Sequence, residues 1–409
     1  MDQATTARYA DLVVRSCLGV REHDIVAIHG EVAHAAFLRA LADTAYRAGA
    51  ALVDLLPSDP AVRASRIRHA PDDTLDDKPA WGDTRMRWLL ANDASVIWVG
   101  GPSEPRIGAD LDPGRSARVD AVIPGRVPYL RAVAAGTARF CVVAWAHPGW
   151  CSAVYPELDS AAATARVATD LARFCRMGPD DGEGTGTWDA HVARLERRVK
   201  AIDALRLTSL RLRGEGTDLQ LALAPGTRFL SARETLPNGR AFTANLPTEE
   251  LFTTPHAAAT EGTFRCSRPL SLGGRMLEDL AGEFRNGRLV RLSARRDSDR
   301  DYLAAYLARH RNGDRLGEVA LLDSTSRIGE TGRTYGITLL DENVACHVAF
   351  GAGFATTRTP GQPARGINRS STHIDVMVGT PSFRVTGSAG PGRRVTLIAD
   401  GLWQGDLQC

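Results

Sequence analysis

Between Leu316 and Asp375 the sequence sets Glu318, Glu342, His347, His373 and Asp375 among short apolar runs: LGEVALLD, LLDENVACHVAFG and NRSSTHIDVMVG. A second acidic piece upstream, NLPTEELFTTP, carries Glu249 and Glu250. Carboxylates and imidazoles are the side chains that ligate divalent metals and that move protons. His373 and Asp375 stand two apart in THIDVMVG, which alternates as a strand does, so both side chains share one face. Such a pair serves one metal or makes a plain surface contact. Glu342 and His347 are separated by a turn expected at Asn343. Glu318 leads into apolar sequence, where a buried carboxylate is costly unless it is paired or metal-bound. Each residue alone has a bland reading. Three carboxylates and two histidines together are the inventory of a two-metal hydrolytic site, in which a shared carboxylate bridges ions about 3.5–4 Å apart. Mixed imidazole and carboxylate ligands suit zinc, with cobalt or manganese as alternatives. The expectation is that four separate strand edges or turns bring these groups together around metal.

The elements that must position them divide into two halves. In the first, DIVAIHG (24–30), ALVDLLPSD (51–59), ASVIWVGG (94–101) and ARFCVVAWA (138–146) read as buried parallel strands. Helical spacing at 4–18, 32–50, 60–68, 127–135 and 160–176 supplies the crossovers between them. The pattern predicts an α/β domain over residues 1–180 with a mostly parallel sheet, a scaffold that controls substrate access. The turn after the first strand reads HGEVAH, which is neither a dinucleotide fingerprint nor a P-loop. His23, His29, His34, His69 and His147 lack ligand spacing and read as surface or hydrogen-bonded core residues.

GPDDGEGTG (178–186) punctuates the chain as a linker, and WDAHVARLERRVKAIDAL (188–205) follows as an amphipathic helix. Residues 188–409 then read as an α+β domain with mainly antiparallel sheet that carries the metal site. LTSLRLRGEGTDLQLALAP forms two strands about a GEG turn, and EFRNGRLV is a hairpin turning at Asn286-Gly287. DSDRDYLAAYLARHRNG (297–313) predicts a helix with Ser298 as N-cap, closed by Asn312-Gly313.

Composition excludes several classes. The chain has 409 residues, 44% hydrophobic and 24% charged, with a formal net charge of +2, so no basic footprint for nucleic acid is present. No apolar run approaches the roughly 18 residues of a membrane span. Seven scattered cysteines without a C-x-x-C pair fit a reducing cytosol, and no secretory signal opens the chain.

Taken in order, YADLVVRSCLGV, GTDLQLAL, NLPTEELFTTP, GTFRCSRPL, RLGEVALL, LLDENVACHVAFG and NRSSTHIDVMVG resemble the aminopeptidase T/aminopeptidase S family of two-metal metallo-aminopeptidases. The resemblance covers most of the chain. It implies a cytoplasmic, homodimeric exopeptidase acting on a small peptide or amide, with two divalent metal ions, zinc first, and cobalt, manganese or magnesium as alternatives. The metal ligands it implies are Glu250, Glu318, His347, His373 and Asp375. Glu318 would bridge, and Glu342 would line the cavity as a ligand neighbour or proton-handling group. In such a site metal activates water for attack on the carbonyl next to a free amino terminus, and a carboxylate carries the proton to the leaving amine.

One position departs. The family pattern after the histidine, H-x-A-x-G-x-x-Y, ends in a tyrosine thought to stabilise the tetrahedral intermediate; here HVAFGAGF puts Phe354 there. Loss of one such donor costs about 10²–10³ in rate. Tyr335, Arg327 and Arg333 are candidate substitutes, and Cys346 beside His347 could narrow the site. The change favours a specialised small amide, for example in secondary metabolism. Two other readings follow: an iron(II) ring-cleaving dioxygenase using His347, His373 and Asp375 alone, or a weakly active or non-catalytic metal-binding relative.

Overall fold

The structure is a computed structural model that describes residues 1–178, 181, 186–359, 361–362, 365–390 and 392–408. Most of the GPDDGEGTG linker, and Cys409, lie outside the described residues. The first half builds a four-stranded, wholly parallel sheet in the order β2-β1-β3-β4, where β1 is Ile25–Glu31, β2 Leu52–Ser58, β3 Ser95–Gly100 and β4 Arg139–Ala144. The central strand is apolar on both faces, and Val26, Ala27 and Ile28 are fully buried. The helix Ala35–Arg47 follows it, burying Phe37, Leu38 and Leu41 at helical spacing. The helices expected near 60–68, 127–135 and 160–176 occur at Pro60–His69, Arg126–Ala135 and Ser160–Phe174. A further helix, Ala80–Ala91, escaped the sequence reading. It buries Gly82 and Asp83 together with Met86 and Leu89, so half of its inward face is not apolar and its period is hidden.

The second half is antiparallel. Strands β5 (Ser209–Gly214) and β6 (Thr217–Leu223) form the hairpin about GEG. A short hairpin of β7 (Arg233–Thr235) and β8 (Ala241–Thr243) follows. Next come β9 (Leu251–Thr253), β10 (Pro255–Arg265), β11 (Leu270–Leu272) and β12 (Arg275–Leu277). The Asn286-Gly287 turn, both residues at positive φ, joins β13 (Ala281–Arg285) to β14 (Arg288–Ser293). The chain closes with β15 (Leu316–Leu321), β16 (His347–Gly351), β17 (His373–Met377), β18 (Arg384–Ser388), β19 (Arg394–Ala399) and β20 (Leu402–Trp403). Eight of these strands make one large sheet, and β17-β16-β15-β9 make a second.

The helix at 297 corrects two expectations. It runs Asp297–Ala308, with Arg296 at the cap position, so Ser298 lies inside its first turn and caps nothing. Asp297 and Asp299 supply the negative charge that favours a helix start, and Asp299 binds back to Arg296 Nε at 2.8 Å. The helix stops before Asn312-Gly313, which forms a separate turn beyond it. One apolar cluster runs through both halves of the chain, from Val13, Ile28 and Val143 to Leu219, Val348 and Phe350.

Candidate metal centre

The expected ligands converge because the small sheet turns one face toward them. Across it, Glu318 pairs with Ala349 and Ala349 with Asp375; Ala320 pairs with His347, and Gly351 with His373. Residues paired directly in an antiparallel ladder share a face, and alternation joins positions 347, 349 and 351 on it. Glu250 continues that face from the last strand, two residues before Phe252, which pairs with Ala320. Ala349 and Gly351 are small, so the centre of the face stays open, while Val348 and Phe350 on the other face enter the core.

Glu318 owes its side to a bulge. Leu316 pairs with Phe350, yet Glu318 pairs with Ala349, so one residue too many lies between the two pairings. The extra residue is Gly317, whose backbone runs so close to the neighbouring chain that a Cβ would sit 2.2 Å from the Ala352 carbonyl oxygen. Without the bulge Glu318 would fall on the same face as Leu316, inside the apolar core.

Three overlapping groups result, each with ligand atoms within 4.8 Å of one another: Glu250, Glu318 and His347; Glu318, His373 and Asp375; and Glu342, His347 and Asp375. His347 Nε2 lies 3.0 Å from Glu250 Oε2, and His373 Nε2 lies 2.9 Å from Glu318 Oε2 and 3.2 Å from Asp375 Oδ1. The other nitrogen of each ring faces a main-chain carbonyl: His373 Nδ1 and Ala352 O are 2.9 Å apart, His347 Nδ1 and Ala345 O 3.4 Å. A carbonyl can only accept, so Nδ1 donates, and the neutral ring, the form a metal ligand needs, would turn its Nε2 lone pair inward. Glu250 Oε2 is buried and lacks any partner in hydrogen-bonding direction, although His347 Nε2 is close. The two atoms converge on common space rather than on each other. This donor set fits divalent metal.

The electrostatics point the same way. Burial holds the Glu318 carboxyl up at about 7, against the pull of His373. Burial and the neighbouring Asp375 and Glu250 carboxylates push Glu342 well above its usual range. For His347, burial disfavours charge, but Glu250, Asp375 and Glu318 outweigh it and raise the imidazole to about 10. His373 is raised likewise, chiefly by Asp375 against its own burial. Asp375 is lowered, because the two imidazoles outweigh its burial. The cavity demands positive charge.

Other residues hold these groups in place. Asn245 Nδ2 donates to Glu342 Oε1 at 3.0 Å. Asn245 is itself tied to the parallel sheet through Val142, to which Leu246 N donates at 2.9 Å. Of the acidic pair only Glu250 turns inward. Glu249 accepts from Arg176 Nη2 at 2.6 Å, and its main-chain N–H donates to Asn343 Oδ1 at 2.6 Å. Asn343, expected merely to turn the chain, thus fixes the acidic loop; no short-range pattern marks that role.

The candidate substitutes for the missing tyrosine are engaged elsewhere. The Tyr335 hydroxyl donates to Asp170 at 3.0 Å, Arg327 binds Asp181 and Arg333 binds Glu157. Cys346 Sγ faces the Leu322 carbonyl at 3.2 Å, on the strand face opposite His347, and burial pushes its thiol up to about 12. Phe354 does reach the site: its ring lies 4.9 Å from that of His373 and 5.6 Å from that of Phe252. The sequence reading missed Glu234. This half-buried residue of β7 has its carboxyl held up at about 7, mainly by burial and further by Glu318 and Glu250.

Known proteins resemble this chain over nearly its whole length. The family described as thermophilic metalloprotease (M29) matches residues 2–403. Aminopeptidase T of Thermus thermophilus is 33% identical over 405 residues, 97% of each chain. Aminopeptidase PepS of Streptococcus thermophilus is 30% identical over 406 residues, again 97% of each. The solved structure of wild-type AmpT from Thermus thermophilus has a TM-score of 0.84 at 32% identity, covering 98% of this chain and 99% of that one. A 2,5-dihydroxypyridine dioxygenase from Pseudomonas putida KT2440, at TM-score 0.54 and 15% identity over 100% of both chains, shares the fold alone.

Proposed function

The chain belongs to the thermophilic metalloprotease (M29) family, and from that premise we propose that its metal-dependent aminopeptidase activity is carried by two divalent cations held by Glu250, Glu318, His347, His373 and Asp375. The observation that carries this reading is the double membership of Glu318, which belongs both to the Glu250–His347 group and to the His373–Asp375 group. A carboxylate so placed would help hold both cations. Four carboxylates, Glu250, Glu318, Glu342 and Asp375, bring four negative charges when ionised, which two divalent cations balance. Zinc suits the mixed imidazole and carboxylate set, with cobalt, manganese or magnesium as alternatives.

When bound, the cations supply Lewis acidity, polarising a peptide carbonyl and lowering the pKa of water. The main-chain carbonyls of Ala345 and Ala352 hold the two imidazoles with Nε2 inward. Glu342, steadied by Asn245, takes the proton released by the attacking water and passes it to the leaving amine. Phe354 packs its ring on His373 and excludes water there, but offers no hydrogen to a developing oxyanion. The substrate class is therefore a small peptide or amide with a free amino terminus. In this reading residues 1–180 are the scaffold and access domain and residues 188–409 the catalytic one. The protein is further taken to be a cytosolic homodimer, to be checked by sedimentation and cell fractionation.

Metal analysis of anaerobically purified protein, followed by turnover of amino-acid p-nitroanilides with zinc, cobalt or manganese, tests the reading. Close to two metals per chain with hydrolysis is expected. One iron per chain and no hydrolysis under any metal would replace it with the mononuclear alternative.

A further inference from the structure

A cleft of about 410 Å³ lies between the two halves of the chain, a size and a place common for ligand sites. On one side the helix Arg126–Ala135 contributes Arg131. On the other, the turn after the helix Asp297–Ala308 contributes Arg311, and the loop before β17 contributes Asn368, Arg369 and Ser370. The halves touch beside it: at Gly136, which closes the first helix, an added Cβ would lie 2.3 Å from Thr356 Cγ2. Ala352, Gly353 and Ala355 line the cleft as well. The Ala352 carbonyl is the one that faces His373 Nδ1 at 2.9 Å, and Phe354, between Gly353 and Ala355, sets its ring 4.9 Å from that of His373.

The lining is one-sided in charge. Arg131, Arg311 and Arg369 are exposed, none pairs with a carboxylate among the described residues, and no acidic residue among them lines the cleft. Like charges around a concave surface focus a positive field into it. Two polar groups there are left over. Asn368 is only 2% exposed; its Nδ2 donates to Gly351 O at 2.6 Å and to Asn312 O at 3.0 Å, which leaves Oδ1 buried with no partner. Ser370 Oγ is likewise buried with no partner. Three guanidiniums call for an anion, and a buried acceptor calls for an N–H. Phosphate answers the first demand but brings no N–H.

We propose that this cleft receives the far end of a short peptide substrate, with its terminal carboxylate on Arg131, Arg311 and Arg369 and a main-chain N–H on Asn368 Oδ1. The inference rests on the aminopeptidase reading and narrows it, from small peptides and amides to di- and tripeptides with a free carboxylate. An extended peptide advances about 3.3–3.6 Å per residue, so that carboxylate stands within roughly 10 Å of the carbonyl under attack. Through Ala352 the cleft comes that near to His373. The arginines bind and align the substrate, and they do not act on the bond being cleaved.

The test compares Leu-Gly with leucyl-glycinamide on the metal-loaded full chain, two substrates that differ only in the charge at the far end. Expected is a kcat/KM for Leu-Gly higher by ~10- to 100-fold, carried mostly by KM and weakened by added salt. Replacing all three arginines (Arg131→Gln, Arg311→Gln, Arg369→Gln) should abolish that preference at wild-type metal content. A preference that survives in the triple variant would overturn the proposal. Should the variant fail to fold, the wild type still decides: equal kcat/KM for the two substrates overturns it. Inorganic phosphate that binds wild type and not the variant, yet leaves Leu-Gly turnover unaffected, would assign the cleft to a separate anion and overturn it too. Absence of all peptide and p-nitroanilide turnover would instead strike the aminopeptidase reading, and calorimetric binding of Leu-Gly against its amide would still judge the cleft.

Discussion

Glu318 stands directly opposite Ala349 across β15 and β16, although Leu316, two residues earlier on the same strand, is paired with Phe350. Two residues that a regular strand would put on one face are therefore on opposite faces. Leu316 enters the core, and Glu318 enters the cluster with His347, His373 and Asp375. The device is one glycine wide.

Gly317→Ala tests that device. The added methyl would meet the Ala352 oxygen at 2.2 Å, so β15 must shift or flatten. Overpacking of this kind costs about 1–3 kcal/mol. The larger effect expected is on the site: metal affinity should fall by ~10-fold or more while circular dichroism stays close to wild type. Metal titration decides, and full affinity in a folded Gly317→Ala protein would mean that the bulge does not set the position of Glu318.

Glu318→Gln removes the carboxylate that the Glu250–His347 group shares with the His373–Asp375 group. Metal content and p-nitroanilide turnover should be lost together, with affinity down by more than roughly 10²-fold. A variant that keeps its metals and its activity would take Glu318 out of the bridging role.

Phe354→Tyr restores a hydroxyl beside His373, whose ring is 4.9 Å away. If the missing oxyanion donor limits the rate, kcat should rise toward ~10²-fold, with KM little changed. Steady-state kinetics on a metal-replete variant read this directly; no gain would show that the donor is supplied otherwise or that another step limits turnover.

Protons and metal compete for the same groups. In the protein without metal, His347 titrates at about 10 and Glu318 at about 7, both above their usual 6.5 and 4.5. The folded state therefore binds protons more tightly than the unfolded one. The stability this contributes is full below those usual values and is lost as pH rises through about 7 and about 10. Metal requires the deprotonated forms, so its affinity runs the opposite way. Between about pH 6 and about pH 9 the Tm of chelator-treated protein should fall, and the gain in Tm on adding zinc should grow. Calorimetry in buffers of different ionisation enthalpy should record protons released on metal uptake. A zinc-induced gain in Tm equal at both ends of the range would contradict this account.

How much of this was legible depends on the range over which each cause acts. The parallel strands near 25, 95 and 139 could be read because each is a short, largely buried apolar run bounded by turn residues; the edge strand near 52 showed the same apolar run although most of it is exposed. The His373–Asp375 pair was legible for a similar reason: alternation within one strand fixes a shared face, and the two side chains do meet at 3.2 Å. The helix at 80–91 was not, because its inward face carries Gly82 and Asp83, whose partners come from distant sequence such as Gly125 N–H at 2.9 Å.

The sequence by itself determined the inventory of the site, the alternation that groups its C-terminal members and, at Phe354, the absence of a hydroxyl from the position where the resemblance leads one to expect it. Only the tertiary structure decided which of Glu249 and Glu250 turns inward, since that depends on Arg176 and Asn343 capturing the other's side chain and backbone. It alone decided the face of Glu318, because the bulge comes from the close passage of Gly317 by the Ala352 carbonyl on a separate segment. Local patterns record what a residue requires of its immediate neighbours, whereas these two placements are set by contacts between segments far apart in the chain.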